Sequence, residues 1–214
     1  MNGELKDVEA ALAHDLNNDL QVVMGNLEVL RRRATFLPEI VTAALNASRN
    51  AAQLADRLVS IGRLRHLEPQ ALDINQALTE LQDMIARTVG DTVRVEMHFR
   101  SGLAKVRIDP RCLQIALLEL ATNSRAAMPA GGELKLSTRE DGKLVRVVVQ
   151  DTGNGIAPGI LERAFDPFAR AGAGKPAGFG LHIVERCVRQ SGGRVDIASG
   201  SGQGTTVTLY LPTE

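Results

Sequence analysis

The sequence predicts an α+β protein in two parts, a helical hairpin followed by a mixed α/β sandwich with helices on one face of a largely antiparallel sheet. Three observations carry this. Apolar residues from Val8 to Leu30 are spaced by threes and fours, and those from Ile40 to Ile61 step as a heptad seam. Beyond residue 72, stretches of helical and strand periodicity alternate.

The first helix is expected over residues 5–33, with Val8, Leu12, Leu16, Leu20, Val23, Leu27 and Leu30 as its buried stripe. Arg31, Arg32 and Arg33 suit its C-terminus, where they oppose the negative end of the macrodipole. Pro38 suits the first turn of a second helix, whose seam is Ile40, Ala44, Ala47, Ala51, Leu54, Leu58 and Ile61. Two helices cannot enclose a core alone, and alanines on the seam allow close approach. The economical solution is a homodimer forming a four-helix bundle. Gly62 and the stretch from His66 to Gln70 break the pattern, giving a hairpin domain over 1–66, a boundary near 65–71 and a second domain over 72–214.

In the second domain Ile74, Leu78, Leu81 and Ile85 mark a helix, and residues 93–99 alternate as a strand. A short strand at 105–109 leads to Pro110, which opens a long helix through Met128. Strands at 133–140 and 144–150 are joined by the turn Asp141-Gly142. A Gly-rich region, a helix at about 179–191 and strands at 194–199 and 204–211 follow.

Composition excludes several classes of function. Lys plus Arg equals Asp plus Glu at 25 each, so no global basic field attracts nucleic acid or an anionic membrane, and one Tyr with no Trp offers no base-stacking surface. With 44% hydrophobic and 23% charged residues and no apolar run near the roughly 18 residues of a bilayer span, no membrane insertion is expected. Glu4, Asp7 and Glu9 leave no apolar core for a signal peptide, so the expected location is the cytoplasm. Cys112 and Cys187 fall in apolar helical patterns without metal-ligand spacing and are expected to be reduced packing residues.

One polar cluster interrupts the first helix. His14 lies about 160° around the helix from both Leu12 and Leu16, and Asn18 returns to within about 40° of it, with Asp15 flanking at about 100°. An outward imidazole thus shares a face with an amide and has a carboxylate beside it. Taken alone, such a cluster is also what a solvated helix face looks like.

Further groups lie in the second domain. Asp151-Thr152-Gly153-Asn154-Gly155 follows a valine-rich strand, so a carboxylate at a strand end can accept from an exocyclic amine while glycines let the backbone bend around a flat ligand. A plain turn has the same composition. Glu119 and Asn123 share one face of the long helix, with Arg125 nearby, and an Asn amide oxygen is a hard donor suited to Mg²⁺ held between phosphates. Phe165-Asp166-Pro167-Phe168 closes a short helix. Gly178-Phe179-Gly180-Leu181 opens the next, where free N–H groups favour phosphate. Gly202-Gln203-Gly204-Thr205 precedes the last strand.

In this order the groups resemble the N, G1, F, G2 and G3 boxes of two-component sensor histidine kinases, and His14-Asp15-Leu16-Asn17-Asn18 resembles their H box in its HDxNN form. The resemblance runs from about residue 5 to 212. It implies a dimerization and phosphotransfer hairpin followed by an ATP-binding domain of the Bergerat fold shared with gyrase. It further implies that His14 attacks the γ-phosphate of ATP, that Asp15 holds or takes the imidazole proton, and that Asn18 positions water to dephosphorylate a response regulator. Asp151 would read the adenine amine within the Gly153 and Gly155 turn, Asn123 would ligate Mg²⁺, and Gly178, Gly180 and Leu181 would wrap the phosphates. The resemblance also places Arg125 and Thr205 in this nucleotide site. Lys175 is either a phosphate contact or a solvated lid lysine. The implied partners are a second copy, the receiver domain of a response regulator and, since no sensor, transmembrane or receiver segment is apparent, a separate sensor protein or domain.

Two departures keep other readings open. The G2 region lacks the first glycine of the usual GxGxG, which suits a non-catalytic phosphotransfer or scaffold protein. Glu119 stands where these kinases often carry Asn, and gyrase-type ATPases place a water-activating Glu at this spacing, so direct ATP hydrolysis is a further implied activity.

Overall fold

The computed structural model describes residues 20–30, 41–45, 47–48, 51, 68–166 and 179–214. The chain divides into two compact units, Met1–His66 and Leu67–Glu214. In the first, residues 20–30 are helical, as are 41–45, 47–48 and 51. The described face that is buried within the chain is Val41, Leu45 and Ser48, one position on from the expected seam, of which Ala47 is exposed. Burying a Val or Leu side chain is worth about 1.5–3 kcal/mol, far more than an Ala, so the larger residues take the intrachain contact. Val22 and Val29, and Val23 and Leu30, are two pairs seven apart that stay exposed on one helix face, at 64%, 49%, 46% and 52%. Val23 and Leu30 belong to the stripe expected to be buried. Among the described residues no helix is long and apolar enough to cross a membrane.

The second unit is the mixed sandwich. Its elements are β1 (Gln70–Leu72), α1 (Ile74–Val89), β2 (Val93–His98), β3 (Val106–Ile108), α2 (Pro110–Ala127), β4 (Gly132–Asp141), β5 (Leu144–Asp151), α3 (Pro158–Leu161), α4 (Phe179–Gln190), β6 (Arg194–Ser199) and β7 (Thr205–Pro212). Five strands form one sheet in the order β2-β4-β5-β7-β6, parallel between β2 and β4 and antiparallel elsewhere. β1 was not foreseen. Gln70, read as linker, begins a strand that pairs with β3 in a separate two-stranded ladder.

Period-two alternation builds the core. Leu134 and Leu136, Val145, Val147 and Val149, and Val207, Leu209 and Leu211 are buried on one face of the sheet. Against this layer α2 contributes Leu113, Leu117, Leu120 and Ala121, packed between α1 and α4. Cys112 on α2 and Cys187 on α4 are free and fully buried. A hydrogen bond with Cys112, and then burial, push the Cys187 thiol far above the ordinary thiol range, so it stays an uncharged packing group.

Asp109 fixes the start of α2. Its carboxylate accepts the N–H of Arg111 at 2.8 Å and that of Glu68 at 2.8 Å, tying the entry of the unit to the helix N-terminus. Burial works to raise its pKa, but hydrogen bonds from the Arg111 side chain and from these two main-chain N–H groups outweigh that and hold it below the usual carboxylate value. A depressed carboxylate contributes stability above its unfolded pKa and loses it as pH falls through the folded value. Asp109→Ala is therefore expected to cost about 2 kcal/mol near neutrality. Urea melts of wild type and variant should converge as pH falls below about 4.

Candidate active site

The inner-face alternation of β5 does not end in an apolar residue. After Val145, Val147 and Val149 the next position is Asp151, buried to 7% exposure at the end of the strand. A carboxylate there must be satisfied locally. Its Oδ1 accepts the N–H of Gly153 at 2.9 Å and the N–H of Thr205 at 3.2 Å, and its Oδ2 accepts the Ser124 hydroxyl at 3.2 Å. Ser124 is the polar end of the buried stripe of α2, and Thr205 is the cross-strand partner of Asp151 on β7. Three elements thus converge on one carboxylate.

Close backbone approach holds the surrounding loops. Gly155 at φ 67° and Gly204 at φ 75° adopt backbone that L side chains rarely take. A Cβ on Gly155 would strike the Gly200 carbonyl, and one on Gly204 would strike the Asp151 carbonyl. The N–H of Gly202 donates to Asn154 O at 2.7 Å, and that of Asn154 to Ala127 O at 3.0 Å. Gly153 presses on Ala127, where a Cβ would meet the side chain at 2.7 Å. The loop after β5, the loop before β7 and the end of α2 form one packed block.

A second group sits where α2 meets the first turn of α4. A Cβ on Gly180 would lie 2.7 Å from Glu119 Oε2 and 3.1 Å from Asn123 Nδ2. The carboxylate and the amide, one turn apart on α2, therefore face the backbone of α4 at its beginning, a region of free N–H groups and positive dipole. Asn123 is exposed and Glu119 half-buried. Leu181 is half-buried in the same turn, and His182 Nδ1 lies 3.2 Å from the Phe165 carbonyl, linking this turn to the stretch after α3.

Asp151, Gly153, Gly155 and Thr205 are thus together, and Glu119, Asn123 and Gly180 are together. Arg125 is engaged elsewhere, donating from Nη1 to Thr88 O at 3.3 Å at the end of α1. His14, Asp15, Asn18, Lys175 and Gly178 lie outside the described residues. Two residues escaped sequence reasoning. Ser124 ends an i, i+4, i+7 buried stripe, and Ser199 ends the Val195, Ile197 alternation of β6. In both the signal was a polar residue where the period calls for an apolar one, the same signal that marked Asp151.

A buried strand-end carboxylate beside two close-packed glycines thus shares one unit with an acid and an amide that face the first turn of α4. Residues 108–214 match the family described as histidine kinase-, DNA gyrase B-, and HSP90-like ATPase, and the chain belongs to that family. Relatives that match along nearly the whole chain include sensor kinases. Sensor kinase CckA of Brucella abortus (strain 2308) is 32% identical over 94% of this chain and 23% of its own length. Sensor histidine kinase ZraS of Escherichia coli (strain K12) is 29% identical over 97% of this chain and 45% of its own. The crystal structure of full-length ShkA in complex with AMPPNP superposes with a TM-score of 0.70 at 26% identity, over 97% of this chain and 46% of that one. This chain spans less than half the length of each of these relatives.

The glycine packing predicts an ordered pair of penalties. Gly204→Ala should cost about 3 kcal/mol or more, since its Cβ has no space and its φ is unfavourable. Gly142→Ala has a φ of 62° but nothing within 4 Å of its Cβ, and should cost only about 1 kcal/mol. Denaturant titration of the two variants measures the difference.

Proposed function

We propose that the chain is a cytoplasmic ATP-dependent protein-histidine kinase that phosphorylates itself on His14 and passes the phosphoryl group to an aspartate of a response-regulator receiver domain. The observation that carries this reading is the Asp151 carboxylate, buried at a strand end and locked by three donors. A carboxylate so fixed accepts from an adenine amine without reorganising. Membership of the ATPase family and the match to parts of sensor kinases along nearly the whole of this chain support the rest.

In this reading a lone pair on the His14 ring attacks the γ-phosphorus in line. The new N–P bond forms as the bond to the β,γ-bridging oxygen breaks, and ADP leaves with that electron pair. Asp15 takes or holds the proton on the other ring nitrogen, keeping the imidazole nucleophilic. Asn18 serves the reverse function on the regulator, orienting water against the aspartyl phosphate. Asn123, a neutral oxygen donor exposed to solvent beside Gly180, fits a Mg²⁺ ion held mainly by phosphates; when bound, the ion neutralises phosphate charge. Lys175, Gly178 and the first turn of α4 would meet the phosphates. The exposed Val22, Val23, Val29 and Leu30 favour a second copy as the occupant of that helix face, giving a homodimeric four-helix bundle.

Direct ATP hydrolysis is a second activity, favoured by the Glu119 carboxylate lying over Gly180. The two are separated by incubation with ATP labelled in the γ-phosphate and Mg²⁺. Acid-labile, alkali-stable label on wild type, absent from His14→Ala and from Asp151→Ala, is the expected result. Label persisting on His14→Ala would sink the assignment, and phosphate release without protein label would leave an ATPase. Asn18→Ala should keep autophosphorylation and slow regulator dephosphorylation by about tenfold or more.

A further inference from the structure

The hydroxyl of Ser199 has more neighbours than it has free choices. It accepts the Ile156 N–H at 2.8 Å, lies 2.8 Å from the Gly204 carbonyl oxygen and lies 3.1 Å from Thr205 Oγ1. A serine hydroxyl carries one proton and two lone pairs. The Gly204 carbonyl can only accept, so the proton goes there, and the Ile156 N–H occupies one lone pair. The other lone pair remains for Thr205, whose hydroxyl must therefore donate to Ser199. That donation spends the only proton Thr205 Oγ1 has. Its two lone pairs are all it can offer to anything else.

Thr205 is also the cross-strand partner of Asp151, so their side chains leave the sheet on the same face. The Thr205 N–H is itself engaged by Asp151 Oδ1 at 3.2 Å. Asp151 is acceptor-only as a carboxylate. The side-chain oxygens of Asp151 and Thr205 at this end of the sheet thus present lone pairs and no proton. A base edge bearing an exocyclic amine meets acceptors there; a base bearing a carbonyl at that position meets oxygen against oxygen.

We infer that Ser199 is a specificity-determining positioning residue, which fixes the Thr205 hydroxyl as an acceptor and so selects a 6-amino over a 6-oxo purine nucleotide. The inference rests on the reading of Asp151 as the group that meets the base. It differs from a structural role for Ser199 in one respect. A structural defect weakens all nucleotides alike, whereas release of the Thr205 proton improves the fit of a 6-oxo base while it weakens that of a 6-amino base.

The test uses the full chain, with dissociation constants for ATP, whose base carries an amine at C6 beside a bare N1, and for ITP, whose base carries a carbonyl at C6 beside an N1–H. Wild type should prefer ATP. Ser199→Ala should reduce the ATP:ITP preference by about tenfold, the scale of one hydrogen bond, and Ser199→Thr, which keeps the hydroxyl on a β-favouring residue, should restore it. Thr205→Val should also shrink the preference, and adding Ser199→Ala to it should change the ratio no further. A parallel loss of ATP and ITP affinity in Ser199→Ala, or an unchanged ratio in Thr205→Val, would overturn the inference while leaving the ATP site standing. Failure of wild type to bind ATP at all would overturn both.

Discussion

A carboxylate buried at the end of a core strand is the constraint around which the second unit is arranged. Asp151 occupies a position that the alternation of β5 reserves for an apolar side chain, and leaving it without donors there would cost several kcal/mol. Its donors come from three separate places, the end of α2, the turn directly after β5 and the first residue of β7. Satisfying one side chain therefore fixes the relative placement of a helix, a loop and a strand. The same requirement explains the glycines. Gly153 can donate to Asp151 only if its backbone lies against Ala127, and β7 can bring Thr205 into reach only if Gly204 lies on the Asp151 carbonyl.

The two halves of the site are joined through α2. Ser124 reaches Asp151 on one side of the helix, while Asn123 and Glu119 meet Gly180 on another. Adjacent residues on a helix diverge by about 100°, so Asn123 and Ser124 serve two separate groups. The burial of Cys112, Leu113, Leu117 and Leu120 on the remaining face holds the helix in the core. Rigid support of this kind suits phosphoryl chemistry, which depends more on position and charge than on covalent participation by the protein.

Much of this was legible in the sequence because period and punctuation agree. The valines of β5 run straight into Asp151 and two glycines, and Pro110 marks the start of α2 at the level of a single residue. The alternating strands and the layer of helices followed from the same periodicities. Other features were hidden for identifiable reasons. Ser124 and Ser199 each terminate an otherwise apolar pattern, and a serine in such a place is indistinguishable from a frayed end until its partners are known. β1 was hidden because a three-residue strand has no period to read and follows a proline. The register of the second helix differs from the heptad seam because spacing reports a repeat, whereas Val41 and Leu45 outweigh Ala44 and Ala47 in buried area.

The position of β7 has a temporal consequence. It lies between β5 and β6 in the sheet, although it follows both in the chain. During synthesis the valine face of β5 and the Asp151 carboxylate emerge some fifty residues before the strand that covers one and donates to the other. Until residues 205–212 leave the ribosome, β5 and β6 have no shared neighbour and Asp151 has only part of its donor set. A nascent chain therefore cannot assemble the acceptor edge early, and a nucleotide has nothing finished to capture before the sheet closes. The late insertion of a central strand makes the emergence of β7 a condition for closing the sheet.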